Sequence, residues 1–224
     1  MLTYHFGGGP NPLKVSLLLE ELDIAYTPVR VRTLAGEQHS EAFTALNPNQ
    51  KIPVIVEEDG NAIFDSNAIL LHLADRHGRF APPPDDPRRG ELLSWLMFVA
   101  TGLGPFSGQA VHFKHGAPEA VPYAARRYDY EARRHFAIVE RRLGNRDFLA
   151  GDAYSIADMA LFGWAHFLTR ILDEDAPGDF PNLLRLMAWI EARPAGQRAL
   201  AMSGTTGGPA PQVKGNRHLF RHLD

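Results

Sequence analysis

The rhythm of apolar and polar positions changes partway along the chain. Up to about residue 80, short β-like runs alternate with helical ones. Leu2–Phe6 reads as a strand, ended by Gly7-Gly8-Gly9-Pro10. Val15, Leu18, Leu19 and Leu22 then recur at i, i+3, i+4 and i+7, one face of a helix, and predict a helix over Pro12–Leu22. Asn11 is its expected N-cap and Pro12 its first helical residue. Tyr26–Arg32 reads as a second strand, and Ser40–Leu46 as a short helix closed by Asn47-Pro48. Ile52–Glu57 and Ala62–Asp65 flank Asp59-Gly60, a hairpin signal. Asn67–Arg76 reads as a helix with Ile69, Leu70 and Leu73 inward, stopped at Gly78. The order is β-α-β-α-β-β-α.

Prolines 82, 83, 84 and 87 then interrupt the pattern, and such a stretch sits inside neither a helix nor a central strand. Residues 81–90 are therefore an expected stiff linker. Beyond it the chain is helical: Glu91–Leu103, Pro122–Leu143 with Tyr128, Ala132, Phe136, Val139 and Leu143 on one face, the almost wholly apolar Ile156–Ile171, and Leu183–Ala192. Residues 203–224, rich in Gly and polar side chains, are an expected flexible tail. The predicted fold class is α/β plus all-α. The order points to a thioredoxin-like domain (βαβαββα, residues 1–80) followed by a helical bundle domain (residues 91–202), with a single α+β domain as the alternative.

Composition narrows the function. The chain has 224 residues, with 23 Lys+Arg against 26 Asp+Glu, and no net basic character of the kind nucleic-acid binders show. It has no cysteine, so disulfides, Cys-ligated zinc and redox chemistry on a protein thiol are excluded. His112-Phe-Lys-His115 lacks a third ligand at helical spacing, and no metal is expected. No basic segment leads into an apolar run at the start, and no apolar run is long enough to span a bilayer. The expected compartment is the cytoplasm, without membrane attachment.

Four stretches carry candidate chemistry. Where a thioredoxin-like fold keeps its redox thiols, at the start of the first helix, this chain has Gly7–Pro12 instead. A helix N-terminus offers free N–H groups and the positive end of a dipole, and both favour a thiolate supplied from outside. Asn11 read locally either donates to such a thiolate or only caps the helix. In Asn47–Ile55, a cis Ile52–Pro53 bond would turn the Ile52 backbone toward a peptide-like ligand, whereas a trans bond, the commoner form, would not. Asp65 and Ser66 open the third helix, where an ammonium and a carboxylate could be received, or where one of them simply caps. Ser155-Ile-Ala-Asp158 reads as a capping box, a structural feature, in preference to a catalytic buried carboxylate, for which no partner stands nearby in the sequence.

Together these stretches resemble the glutathione transferase superfamily from Leu2 to about Leu200. Asn47–Ile55, Phe64–Leu73 and Ser155–Asp158 stand in its order and spacing. Pro10-Asn11 before Leu13–Glu21, Gly36-Glu-Gln38, Gly102–Gln109 and Val121–Tyr128 are most similar to the Nu class and its relatives that act on disulfides. The resemblance implies that Asn11 bonds the glutathione sulfur. It places Gln38 and Lys51 at the glycyl end, Ile52 on the cysteinyl backbone, and Asp65 and Ser66 on the γ-glutamyl group. It also implies a homodimer in which Arg127 reaches in from the other subunit, with Pro53, Ser155 and Asp158 structural. Nu-class proteins often carry Thr two residues before this Asn, where this chain has Gly9; activation would then rest on Asn11 and backbone N–H groups, with Tyr4 and Ser16 poor substitutes. The implied reaction is glutathione-dependent disulfide reduction. Conjugation of aromatic electrophiles, thioether or ether cleavage, and glutathione binding without turnover are the alternatives.

Overall fold

The computed structural model describes residues 1–204. Its four strands form one mixed sheet in the order β2-β1-β3-β4. β1 (Leu2–Phe6) and β2 (Tyr26–Arg30) pair in parallel, with Leu2 opposite Tyr26. A parallel pair needs a crossover, which α1 (Pro10–Leu22) supplies. β3 (Val54–Val56) runs antiparallel to β1, with His5 opposite Val54, and pairs with β4 (Ala62–Phe64), with Val54 opposite Phe64. The Asp59-Gly60 turn closes this hairpin through a bond from Gly60 N–H to the Glu57 carbonyl at 3.0 Å. α2 (Glu41–Leu46) is capped by Ser40, and α3 (Ser66–His77) ends on Gly78 in the left-handed conformation. The expected βαβαββα order is therefore present.

After the prolines come α4 (Arg89–Phe98), α5 (Gly104–His115), α6 (Pro122–Leu143), α7 (Ile156–Ala165), α8 (Leu168–Ile171), α9 (Pro181–Glu191) and α10 (Pro194–Ser203). A π-helical turn, Val99–Leu103, makes α4 and α5 one continuous path. The helix expected over Ile156–Ile171 breaks at His166-Phe167, where Phe167 N–H bonds the Trp164 carbonyl three residues back. Apolar residues continue on both sides of that break, so periodicity does not register it. The linker stops short of its expected end, because α4 already begins at Arg89. Ser203, expected in the tail, closes α10, a helix whose small residues (Ala195, Gly196, Ala199) carry little periodic signal. The remainder of the expected flexible tail, residues 205–224, lies outside the described residues.

The two units share one hydrophobic core. Tyr4, Leu17 and Ile55 from the sheet side belong to the same buried cluster as Phe136, Phe162 and Ile190. α1 is the reason. It meets β1 through the bonds of Tyr4 to Pro12 and Ser16 and packs on α3, α7 and α10, so Leu13, Val15, Leu17, Leu18, Leu19 and Leu22 are all buried. Each such side chain contributes about 1.5–3 kcal/mol. The single apolar face read from the sequence was too narrow, because this helix is sandwiched. Gly163 of α7 permits the approach: a Cβ there would lie 2.4 Å from the Pro10 carbonyl oxygen and 2.5 Å from Lys14 Cγ.

Candidate functional site

The sheet register collects the candidate residues. β1 ends at Phe6, β3 begins opposite its end, and β4 runs back to Phe64, so the loops after Phe6, before Val54 and after Phe64 share one edge. The first of them differs from expectation. α1 begins at Pro10, with Gly9 as N-cap at φ 125°, and no side chain caps it. Asn11 is therefore the second helical residue and not the N-cap. Proline presets the torsion of a first helical position, and glycine alone readily takes the left-handed torsion before it. The consequence is chemical. Of the first three helical residues, Pro10 and Pro12 have no N–H, and the next N–H, of Leu13, already bonds Gly9 O at 3.3 Å. The expected set of free backbone donors shrinks to that of Asn11, which leaves its backbone N–H and its side-chain amide as the donors of this turn.

Asn11 is tied across to α3. Ser66 Oγ donates to Asn11 Oδ1 at 3.3 Å, and Lys14 Nζ donates to Ser66 Oγ at 3.3 Å and to Asn67 Oδ1 at 3.4 Å. Lys14 is 1% exposed, with its ammonium 5.9 Å from the centre of the Trp164 ring. Burial pulls its pKa down to about 7, against the opposing pull of Asp65. Sequence reasoning passed over Lys14; its signal was a lone cation inside the apolar run Leu13–Leu19. Asp65 caps α3 through Oδ1, which accepts from Asn67 N at 2.9 Å and Ala68 N at 3.2 Å, while the residue holds a left-handed φ of 69°. Its side chain is exposed, and Oδ2 has no partner among the described residues.

The second loop is braced from within. The Ile52–Pro53 bond is cis. Asn47 Nδ2 donates to Lys51 O at 2.6 Å, and Asn49 N–H donates to Asn47 Oδ1 at 2.9 Å. Ile52 is half-buried and its side chain packs on Gly7, which joins this loop to the first. Gln38, buried in the 3-10 turn Glu37–His39, bonds His39 through Nε2 at 3.0 Å, and His39 bonds Gln50 at 2.7 Å. Gln38 Oε1 is buried without a hydrogen-bond partner. The Lys51 side chain is exposed.

Other sequence candidates lie elsewhere. Arg127 sits on α6 and pairs with Glu131 of the same helix at 2.5 Å. Ser155 and Asp158 form the expected capping box at α7. Asp158 is fully buried and also accepts from Leu149 N at 2.7 Å; burial pushes its pKa up to about 6 against these bonds. Tyr4 is buried, donates to Pro12 O at 2.7 Å and bonds Ser16 at 3.0 Å, and burial raises its pKa, so neither hydroxyl serves the loop. Lys114 and His115 bond the carbonyls of Ile171, Leu172 and Arg170 at the end of α8. Among the described residues no cluster of three or more His, Cys, Asp or Glu could hold a metal ion, and no helix is long and apolar enough to cross a membrane.

Residues 1–75 match the family "Glutathione S-transferase, N-terminal domain", and residues 112–194 match "Glutathione S-transferase, C-terminal domain". The disulfide-bond oxidoreductase YfcG of Escherichia coli is 37% identical over 89% of this chain and 94% of its own length. The disulfide-bond oxidoreductase YghU of the same organism is 34% identical over 94% of this chain and 77% of its length. Among solved structures, a glutathione transferase from Burkholderia graminis with two glutathione molecules bound per subunit superposes with a TM-score of 0.81 at 37% identity, over 92% of this chain and 89% of that one. The glutathione transferase URE2P6 from Phanerochaete chrysosporium, in complex with oxidized glutathione, gives 0.86 at 29% identity over 91% and 96%.

Proposed function

The chain belongs to the glutathione S-transferase family, and from that premise we propose that it reduces small disulfides with bound glutathione and no thiol of its own. The absence of cysteine requires every sulfur in the exchange to come from a ligand. A glutathione thiolate attacks the disulfide, forming a mixed disulfide and releasing one thiolate, which takes up a proton. A second glutathione thiolate then attacks the glutathione sulfur of that mixed disulfide. Glutathione disulfide forms and the second thiol leaves, so two glutathiones and one disulfide become one glutathione disulfide and two thiols. The rate depends on the thiolate fraction of the attacking sulfur and on the leaving group. A related glutathione transferase binds two glutathiones per subunit, and two relatives are disulfide-bond oxidoreductases, which supports this stoichiometry.

The observation that carries the reading is Asn11 between two prolines. With Pro10 and Pro12 unable to donate, the amide of Asn11 is the group that α1 offers a sulfur at this edge. In the same reading Ile52 pairs with the cysteinyl backbone of glutathione, and Gln38 and Lys51 serve its glycyl carboxylate. Asp65 receives its ammonium and Ser66 its γ-glutamyl carboxylate. A homodimer brings in Arg127, and the cytoplasm, where glutathione is reduced, is the matching compartment. The test is turnover of 2-hydroxyethyl disulfide by the purified protein with glutathione. Turnover of 1-chloro-2,4-dinitrobenzene in its place would make conjugation the activity.

A specific observation also favours a second reading, a glutathione-binding protein with little turnover. Gly9 provides no hydroxyl, and the prolines remove donors, so the means of stabilising a thiolate are few. Calorimetric binding of glutathione with neither activity is the result that selects it.

A further inference from the structure

Lys14 is costly where it stands. An ammonium 1% exposed between α1 and α7 loses most of its hydration, whereas a methionine of similar length would fill the space without that loss. Its stem packs against Gly163 and its head against the Trp164 ring, Ser66 and Asn67. Among the described residues, Asp65 is the carboxylate whose field reaches it. Among the described residues no salt bridge offsets the burial, so its polar contacts with α3 are its compensation.

We propose that Lys14 is a positioning residue: by donating to Ser66 it sets the direction of the Ser66–Asn11 hydrogen bond, so that Asn11 presents its amide NH2, and not its carbonyl oxygen, to the ligand sulfur. This deepens the glutathione reading above and rests on it for the identity of the sulfur. Below its pKa of about 7 Lys14 is an ammonium and only donates, so there Ser66 Oγ accepts from it, at 3.3 Å. A hydroxyl has one proton, and that of Ser66 goes to Asn11 Oδ1 at 3.3 Å. With its oxygen held, the other arm of the amide is a donor. Without the ammonium, Ser66 can accept from Asn11 Nδ2 as well as donate to Oδ1, so the amide exchanges between two orientations, one of them turned over. In the turned orientation Oδ1 would face the sulfur, and an acceptor beside a thiolate favours the protonated thiol. The same cation holds Asn67 Oδ1 at 3.4 Å, which leaves Asn67 Nδ2 to donate to the Asp65 cap, also at 3.4 Å.

The test compares the unaltered protein with Lys14→Met and Ser66→Ala. In the free protein, the side-chain amide resonance of Asn11, identified by its loss in Asn11→Ala, reports how firmly the amide is held. It should become mobile in both variants. With glutathione bound, ultraviolet thiolate absorbance against pH should place the thiol pKa about one unit higher in Lys14→Met, a roughly tenfold loss of thiolate on the acid side of the titration. A purely structural lysine would lower stability and leave the amide signal in place, and loss of its positive field alone would raise the thiol pKa without freeing the amide. An Asn11 amide held as firmly in folded Lys14→Met as in the unaltered protein overturns the proposal. If Lys14→Met does not fold, Lys14→Leu, which keeps an apolar stem in the same space and no donor, decides by the same amide signal. Failure of the unaltered protein to bind glutathione would overturn the functional reading instead, because the amide readout needs no ligand.

Discussion

Arg193 grips Glu21 in a two-pronged pair, Nε to Oε1 at 2.5 Å and Nη2 to Oε2 at 2.8 Å, across the seam between the sheet unit and the bundle. Glu21 belongs to the last turn of α1, and Arg193 is the N-cap residue of α10. The guanidinium also lies 4.6 Å from the Trp189 ring centre and 5.0 Å from that of Tyr154. Its side chain is 33% exposed and that of Glu21 only 6%, so the arginine is what keeps a buried carboxylate paired. Arg193→Ala should lower unfolding stability by about 2–3 kcal/mol, below the range for a fully buried pair because the arginine is partly wet. Urea denaturation checks this; a loss below about 1 kcal/mol would show that the pair holds little.

Asn11→Ala should lower disulfide turnover about 10- to 100-fold, the worth of one hydrogen bond to a charged group, while changing the glutathione dissociation constant far less. Steady-state kinetics beside calorimetry separates the two. Equal losses in both would mean that Asn11 serves binding and not the thiolate.

Gly9→Thr introduces the hydroxyl that the resemblance to the Nu class would place here, yet it should not supply its effect. Gly9 holds φ 125°, which side-chain-bearing residues rarely adopt, although nothing lies within 4 Å of an added Cβ. The cost is backbone strain without steric clash, about 1–3 kcal/mol of stability. A threonine variant as stable as the parent and more active would show that the loop accepts the relatives' conformation.

Asp158→Ala should cost about 2–4 kcal/mol at neutral pH, because the buried N–H groups of Leu149 and Ser155 lose their acceptor. The cost should depend on pH. With its pKa pushed up to about 6 from the usual carboxylate value, the folded state binds a proton that the unfolded state has released, so this group makes the parent lose stability as pH rises from about 4 to 6. The gap between parent and variant is therefore wider near pH 4 than at pH 7. Thermal denaturation at both values checks the sign, and a gap that widens with pH would contradict it.

Local pattern was enough for the elements whose signals are local. Asp59-Gly60, Gly78 and Ser155–Asp158 announce a turn, a stop and a cap because their bonds close within a few residues. The alternation of strand and helix before the prolines, and of helix alone after them, likewise yielded the two architectures. Motif order in Asn47–Ile55 and Phe64–Leu73 pointed to the family before any contact was known. What tertiary structure decided lies where distant segments meet. Whether Pro10 or Pro12 opened α1 depended on Gly9 taking a torsion that no periodicity encodes. Lys14 looked like an ordinary helix residue until α7 and α3 closed over it and gave its ammonium one set of partners. A hydrogen bond between residues 55 positions apart, Ser66 to Asn11, exists only once the sheet register has brought their loops to one edge. The physical reason is common to all three: local spacing specifies which backbone shapes are cheap, while the solvation and partners of a polar group are set by whatever packs around it.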